Sequence, residues 1–299
     1  MQKLTSLGRE LDQSPEKFGV LRDSNDALQD PLELRKRMAE DGYLYLPGYL
    51  DKAQVMATRR EMTGRLAAEG SLDPAFDPME AVLKPGLPLS LRSDLAKNNA
   101  PMHELLYTGR MMDFYRALLG GEVLHYDYTW VRAVAPGKGT PPHLDIVYMG
   151  RGTSNLFTAW VPIGDVTFDL GGLMVLEGSH RLKRLKETYG QRDVDSYCSN
   201  RPEAEKYASG EKWWNGWLSN DPVQLQKTFG GRWLTTEYKV GDLLTFSMFT
   251  IHASLDNPSK HVRFSTDSRY QLASEPADER WIGQSPPGHG KAGKRGKIC

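Results

Sequence analysis

The chain has 299 residues, 39% of them hydrophobic and 10% aromatic, which is enough apolar material to bury one sizeable core without staples. Its 38 basic residues balance 38 acidic ones, so no global field gathers a polyanion; neither nucleic acid nor a membrane is expected as a partner, and no protein partner is predicted. The two cysteines, Cys198 and Cys299, suggest neither a disulfide framework nor a structural zinc site. With no signal-peptide-like start and no 18-residue apolar run, they point to a soluble, cytoplasmic protein in a reducing compartment.

Residues 1 to about 30 are polar and weakly patterned and read as an arm or loose cap. From Pro31, PLELRKRMAED is an amphipathic helix that stops at Asp41-Gly42, with Tyr43–Leu46 following as a short strand. DKAQVMATRREMTGRLAAEG is a second helix ended by Gly70. After a loop from Ser71 to about Pro101, a third runs through HELLYTGRMMDFYRALLGG. Beyond Gly121 the period shifts towards two. EVLHYDYTWVRAV, HLDIVYMG, LFTAWVPIGDV, GGLMVLEGSH, WLTTEYKV, GDLLTFSMFTIHAS and VRFSTDSRYQL read as strands separated by turn residues. Helices first and strands afterwards predict an α+β protein, and many short strands predict a sandwich or jelly roll. One domain over 1–284 is expected, interrupted by a polar, Trp-bearing insertion at 181–230 that is a candidate lid. The Gly-, Pro- and Lys-rich tail, 285–299, is expected to be disordered.

A metal centre is suggested by His143-Leu144-Asp145, which follows the loop APGKGTPP and reads as opening a strand; residues two apart would then share one face. His252, closing DLLTFSMFTIH, supplies a third ligand. Two histidines and a carboxylate leave positions open on Fe(II) for a cosubstrate and oxygen. His125-Tyr126-Asp127 has the same spacing, so spacing leaves the two pairs open, and a histidine bonded to a polar neighbour in a β core accounts for either. Between His252 and Arg263, Asp256-Asn257-Pro258-Ser259 reads as a turn. If it centres between Asn257 and Pro258, Arg263 stands across a hairpin from His252, about 5 Å away at Cβ. Its planar fork suits a carboxylate, and a buried arginine without a partner is costly, so an anionic ligand is expected there. The alternative is an internal pair with an aspartate such as Asp267.

Taken in order, AEDGYLYLPGYLDKAQV, PGKGTPPHLD, TAWVPIGDV, GGLMVLEGSHR, VGDLLTFSMFTIHASLDNPS and RFSTDSRYQ resemble the phytanoyl-CoA dioxygenase-like (PhyH) branch of the Fe(II)/2-oxoglutarate oxygenases, over roughly residues 33 to 272. The resemblance implies a double-stranded β-helix, a cupin-like jelly-roll barrel with flanking N-terminal helices. It implies Fe(II) on His143, Asp145 and His252 rather than on His125 and Asp127, with the far carboxylate of 2-oxoglutarate on Arg263. Ser254 and Trp160 match cosubstrate contacts, and Trp130 or Arg132 falls at a further contact position. His180, in EGSHR, matches a structural loop. The implied reaction uses O2 to oxidise, by hydroxylation, an unactivated C–H of a small molecule, releasing succinate and CO2. Desaturation, ring closure or epimerisation are variants of it. Asp145 stands where family halogenases carry a small residue, which favours oxygenation. The family acts on acyl-CoA esters, compatible solutes, antibiotics and other natural products. Substrate contacts are expected from Tyr148, Trp213, Trp214 and Trp217. Two other readings compete: a zinc or manganese hydrolase of the same fold, which has no use for Arg263, and a non-catalytic binding member.

Overall fold

Local signals set the helix limits in the computed structural model, which describes residues 2–299. Asp30 accepts from the N–H groups of Leu32 and Glu33 and Pro31 fills the first turn, so α1 (Pro31–Asp41) begins there and stops at Gly42. Asp51 caps α2 (Lys52–Ala68) in the same way. The expected third helix is two, α3 (Ala100–Tyr107) and α4 (Gly109–Leu119), because Thr108 takes an extended backbone between them.

The strands in chain order are β1 (Thr5–Ser6), β2 (Arg9–Glu10), β3 (Phe18–Val20), β4 (Tyr43–Leu46), β5 (Val123–His125), β6 (Trp130–Val134), β7 (Phe157–Pro162), β8 (Leu173–Leu176), β9 (Ser196–Cys198), β10 (Trp233–Thr235), β11 (Leu243–Ser247), β12 (His252–Ser254), β13 (Arg263–Leu272) and β14 (Arg295–Lys297). The larger sheet runs β4-β11-β7-β13-β5, with β6 also on β13, and the smaller runs β12-β8-β10-β3. Alternation decides what each sheet shows to either side. On β7, Ala159 and Val161 join Leu34, Val55, Leu66 and Leu105 of the helical layer in one buried cluster. Trp160, between them, joins Leu244 and Phe246 of its own sheet with Leu173, Val175 and Leu234 of the other. The sheets therefore face each other, with helices on the outside of the larger one: an α+β double-stranded β-helix, as expected.

Several expectations are corrected. Only the backbone of His143 extends a sheet, through an isolated bridge to His252. Asp145 already has helical backbone angles and leads into a short helix, α5 (Ile146–Met149), so HLDIVYMG is not a strand and Tyr148 lies on a helix. His252 and Arg263 do not form a hairpin. β12 pairs with β8 and β13 with β5, β6 and β7, so Arg263 stands opposite Val134 in the other sheet. Residues 255–262 cross between sheets instead of turning back within one. The tail is not free: β14 pairs in parallel with β9 of the insertion, and a Cys198–Cys299 disulfide closes beside that pair. Cysteine usage therefore gives no support for a reducing compartment. The amino-terminal arm is likewise tied down, with β3 on the edge of the smaller sheet. Among the described residues no helix is long and apolar enough to cross a membrane.

Candidate active site

His143, Asp145 and His252 converge although they come from a bridge, a helix start and a strand. Their potential ligand atoms all lie within 4.8 Å of one another, and all three residues are buried. Asp145 Oδ1 is 3.9 Å from Nε2 of His143 and 3.8 Å from Nε2 of His252. The other ring nitrogens are engaged: Nδ1 of His143 meets the Pro141 carbonyl at 2.8 Å and Nδ1 of His252 meets that of Thr250 at 3.1 Å. A carbonyl only accepts, so each Nδ1 carries the proton and each Nε2 presents a lone pair to the centre.

Electrostatics supports the same protonation states. Burial, and for His143 the neighbouring His252, push both imidazoles below their ordinary range and keep them neutral. Burial alone would raise Asp145, but the Arg269 guanidinium, helped by the Thr158 hydroxyl, outweighs it and holds the carboxyl below the usual range. Its Oδ2 accepts from Thr158 Oγ1 at 2.5 Å and Arg269 Nη2 at 3.1 Å, which leaves Oδ1 for the centre. The donor set of two neutral imidazoles and one oriented carboxylate oxygen fits a divalent first-row metal with open positions.

A cleft beside the triad is lined by Arg132, Thr140, Trp160, Leu173, Ser254, Arg263 and Asp267 together with both histidines. Arg263 is 1% exposed and has no carboxylate partner among the described residues. Its Nη1 lies 3.4 Å from Ser265 Oγ, and its Nε is unpartnered. Asp267 supports its charge from a distance but forms no ion pair with it; Oδ2 of that carboxylate takes Nε of Arg132 at 2.6 Å, and its Oδ1 is unpartnered. Burial, then Arg132, push the Arg263 guanidinium down to about 10, so it is still charged at neutral pH. The Trp160 indole N–H is buried and unpartnered as well. Ser254 Oγ accepts from Thr140 N at 2.8 Å and so ties β12 to the loop before His143. That loop runs close: a Cβ on Gly139 would lie 2.3 Å from the Ser254 carbonyl, so only glycine fits. Two unpartnered donors, one of them cationic, in a buried cleft next to the triad fit a dicarboxylate cosubstrate.

The remaining expected residues divide. Tyr148 packs edge-on to His143, with ring centroids 5.6 Å apart, and donates to the Asn215 carbonyl at 2.7 Å. Gly216 sits so tightly on the Tyr148 ring that a Cβ there would come within 2.5 Å. The insertion therefore does reach the site, at 215–218, where Leu218 N donates to the Pro142 carbonyl at 2.9 Å. Trp217 is there, Trp214 is held by Tyr189 and Arg192, and Trp213 is exposed. Trp130 lies away from the cleft, against Trp281 and under the Arg269 guanidinium, while Arg132 lines the cleft. His125 and Asp127 take no part: His125 stacks on Tyr107, and Asp127 accepts from Gly283 N. His180 meets the Ala39 carbonyl at 2.9 Å, a structural contact. Thr158 and Arg269 are not singled out by the sequence reading. A signal for Arg269 was present, since Arg263, Ser265, Asp267 and Arg269 alternate along one strand with Phe264 and Tyr270, which face the helices.

A family profile described as Phytanoyl-CoA dioxygenase (PhyH) matches residues 38–265, about three quarters of the chain. The chain belongs to the phytanoyl-CoA dioxygenase family. It is a 2-oxoglutarate-dependent dioxygenase that works with iron, 2-oxoglutarate and O2. Among curated proteins, the 1-deoxypentalenic acid 11-beta-hydroxylase of Streptomyces exfoliatus is 26% identical over 272 residues, covering 84% of this chain and 85% of its own. The protein of the same name from Streptomyces arenae is 27% identical, covering 86% and 87%. Among solved structures, EctD from S. alaskensis in its apoform has a TM-score of 0.57 at 18% identity, with 99% of each chain covered. The epimerase SnoN in complex with Fe3+, alpha ketoglutarate and nogalamycin RO has a TM-score of 0.56 at 21% identity, covering 83% of this chain and 86% of that one. These structures share the fold of this family member.

Proposed function

We propose that His143, Asp145 and His252 hold Fe(II), that Arg263 takes the far carboxylate of 2-oxoglutarate, and that the enzyme hydroxylates an unactivated C–H of a small molecule, releasing succinate and CO2. The observation that carries the reading is a buried arginine with no ion-pair partner among the described residues, in a cleft walled by two neutral imidazoles that converge with a held carboxylate. A hydrolase using the same three ligands would leave that guanidinium without a function.

Bound iron, 2-oxoglutarate and O2 supply the oxidising power; the protein's residues position and protect. Pro141 and Thr250 carbonyls fix the two imidazoles, and Thr158 with Arg269 fixes the carboxylate. In this reading the Trp160 N–H and the Ser254 hydroxyl contact the cosubstrate beside Arg263, and Arg132 borders it; their common lining of the cleft supports this. Tyr148 and the segment at 215–218 shelter the His143 side from water. Hydroxylation, rather than another outcome of the same chemistry, is favoured by the two curated relatives, whose names describe a hydroxylase of a natural-product acid.

The test is anaerobic addition of Fe(II) and then 2-oxoglutarate, watching for the weak visible metal-to-ligand charge-transfer band of the chelate, with His252→Ala and Arg263→Ala alongside. The band is expected in the wild type and should be lost or weakened in both variants. Its absence from a wild-type protein with demonstrably bound iron would refute the assignment of these residues.

A further inference from the structure

The match to the family profile starts at residue 38, so the β1–β2 hairpin lies outside it, yet this hairpin is fastened to the wall of the cosubstrate cleft. Ser6 pairs with Arg9 across a two-residue tip, Leu7-Gly8, and both tip residues have positive φ, 54° and 76°. That is the type I′ arrangement, where asparagine and glycine are the usual occupants and a leucine is strained. Leu4 and Leu11 seat the base of the hairpin in the buried cluster that contains Leu144 and Ala253, the chain neighbours of the triad.

The strained tip meets a single carboxylate. Asp256 Oδ1 accepts from Leu7 N and its Oδ2 from Gly8 N, both at 2.8 Å. Oδ1 also accepts from the buried Gly139 N at 2.7 Å, so one side chain joins the hairpin to the loop before His143. All three donors come from distant segments, 249, 248 and 117 residues away in sequence. The hairpin grips the same stretch twice more: Asp256 N donates to the Thr5 carbonyl and Ser6 Oγ to the Ser254 carbonyl, each at 2.8 Å. Next to Gly139, Thr140 N donates to Ser254 Oγ at 2.8 Å, and Ser254 N donates to the Thr140 carbonyl at 3.1 Å. Thr140 and Ser254 line the cleft together with Arg263. Hydrogen bonds to a carboxylate are stronger than neutral ones, and a strained backbone held by its surroundings is found most often where a site needs it.

We infer that Asp256 is a positioning residue for 2-oxoglutarate. By holding Leu7, Gly8 and Gly139 on one carboxylate it fixes the Thr140–Ser254 wall beside Arg263, which makes the amino-terminal hairpin a working part of the active site. The inference rests on the oxygenase reading. Asp256 touches neither cosubstrate nor metal; it acts through the backbone of 139–140 and through Ser254, as a supporting shell does when it holds binding groups to a fraction of an ångström. The metal ligands depend on it less, because His143 and His252 are bonded to each other through their backbones, N–H to carbonyl at 3.1 Å in both directions.

The test titrates 2-oxoglutarate into the Fe(II)-loaded protein under argon, followed through the charge-transfer band, for the wild type, Asp256→Asn, a chain lacking residues 2–11, and the two changes combined. Dissociation constants should rise about tenfold in each single variant. Fe(II) affinity, measured by competition with a chelator, should stay within about threefold. Hydrogen exchange should quicken at 137–140 in Asp256→Asn while β7 and β13 stay protected. In the Asp256→Asn background, deletion of the hairpin should add less than about twofold, because the two changes break one linkage. A rise of less than about threefold in Asp256→Asn would overturn the inference. So would a loss of 2-oxoglutarate binding matched by equal loss of Fe(II) affinity and by faster exchange in β7 and β13, which marks general loosening, or a hairpin deletion whose effect is the same in both backgrounds. Should Asp256→Asn not fold, the deletion decides alone, and unchanged 2-oxoglutarate affinity in it overturns the inference. No band from iron-loaded wild type would strike the oxygenase reading, whereas a wild-type band with an affinity unmoved by Asp256→Asn strikes this inference only.

Discussion

Replacing Arg263 by methionine should move cosubstrate affinity and protein stability in opposite directions. The guanidinium is 1% exposed, and its one hydrogen-bond partner among the described residues is Ser265 Oγ at 3.4 Å. Methionine fills much of the same space without a charge. Against 2-oxoglutarate the variant loses two charge-assisted hydrogen bonds worth about 1.5–3 kcal/mol each, so affinity should fall by about 3–6 kcal/mol, or roughly two to four powers of ten. Without ligand the substitution removes a buried cation that has no counter-ion, and such a change is neutral or stabilising. Anaerobic titration of 2-oxoglutarate, followed through the charge-transfer band, measures the first effect, and urea unfolding of both ligand-free proteins measures the second. Affinity within about threefold of wild type, or a ligand-free variant destabilised by about 3 kcal/mol or more, as when a true ion pair is broken, would refute the reasoning.

Thr158→Val deletes a donor to Asp145 Oδ2 with little change of volume, and iron affinity should fall about 10- to 100-fold; competition with a chelator measures it, and unchanged affinity would show that Thr158 does not orient the ligand. Arg269→Met leaves Asp145 buried without its cation, so both iron affinity and stability should drop, the latter by about 3–5 kcal/mol in chemical denaturation. Cys299→Ser should cost about 2–4 kcal/mol and expose 285–299 and 196–198 to hydrogen exchange, while β7, β11 and β13 stay protected. Burial opposes the charge on Asp195, but His289 and Arg280 hold its carboxyl down at about 2. Its folded value lies below its unfolded one, so the stabilisation is complete above about pH 4 and is lost as pH falls through the folded value. Asp195→Asn should abolish that acid-dependent loosening of the tail, as read by hydrogen exchange between about pH 5 and 2.5.

Much of the helical layer was legible because its limits are chemical: Asp30 and Asp51 as caps, Pro31 in the first turn, Gly42 and Gly120 as stops. Strands such as β7 and β13 were legible from alternation. The two histidines and the aspartate were legible as residues, but not as geometry. Asp145 reaches the centre from the first turn of a helix, and no two-residue strand spacing describes that. The register linking His252 to Arg263 failed because turn residues mark a bend without saying which sheet the chain joins next. Here Leu255 bonds to Gly172, Asn257 to Gly137 and Val262 to Ala81 on the way across. The two side chains still share a cleft because facing sheets, and not neighbouring strands, bring them together. The tail's composition is that of a disordered segment. What orders it is a partner 101 residues away in sequence, which composition cannot show.

That bond bears on how the enzyme is handled. Ferrous iron is kept reduced in the test tube by added reductants, and a thiol among them would also open Cys198–Cys299, whereas ascorbate would leave it closed. Preparations that differ only in this reagent would be compared with the tail fastened to the insertion in one and released in the other. His289 of the tail packs on Tyr148, with ring centroids 5.8 Å apart, and Tyr148 packs on His143, so the difference reaches a neighbour of the metal centre. Turnover rates from the two buffers would then describe two different molecules.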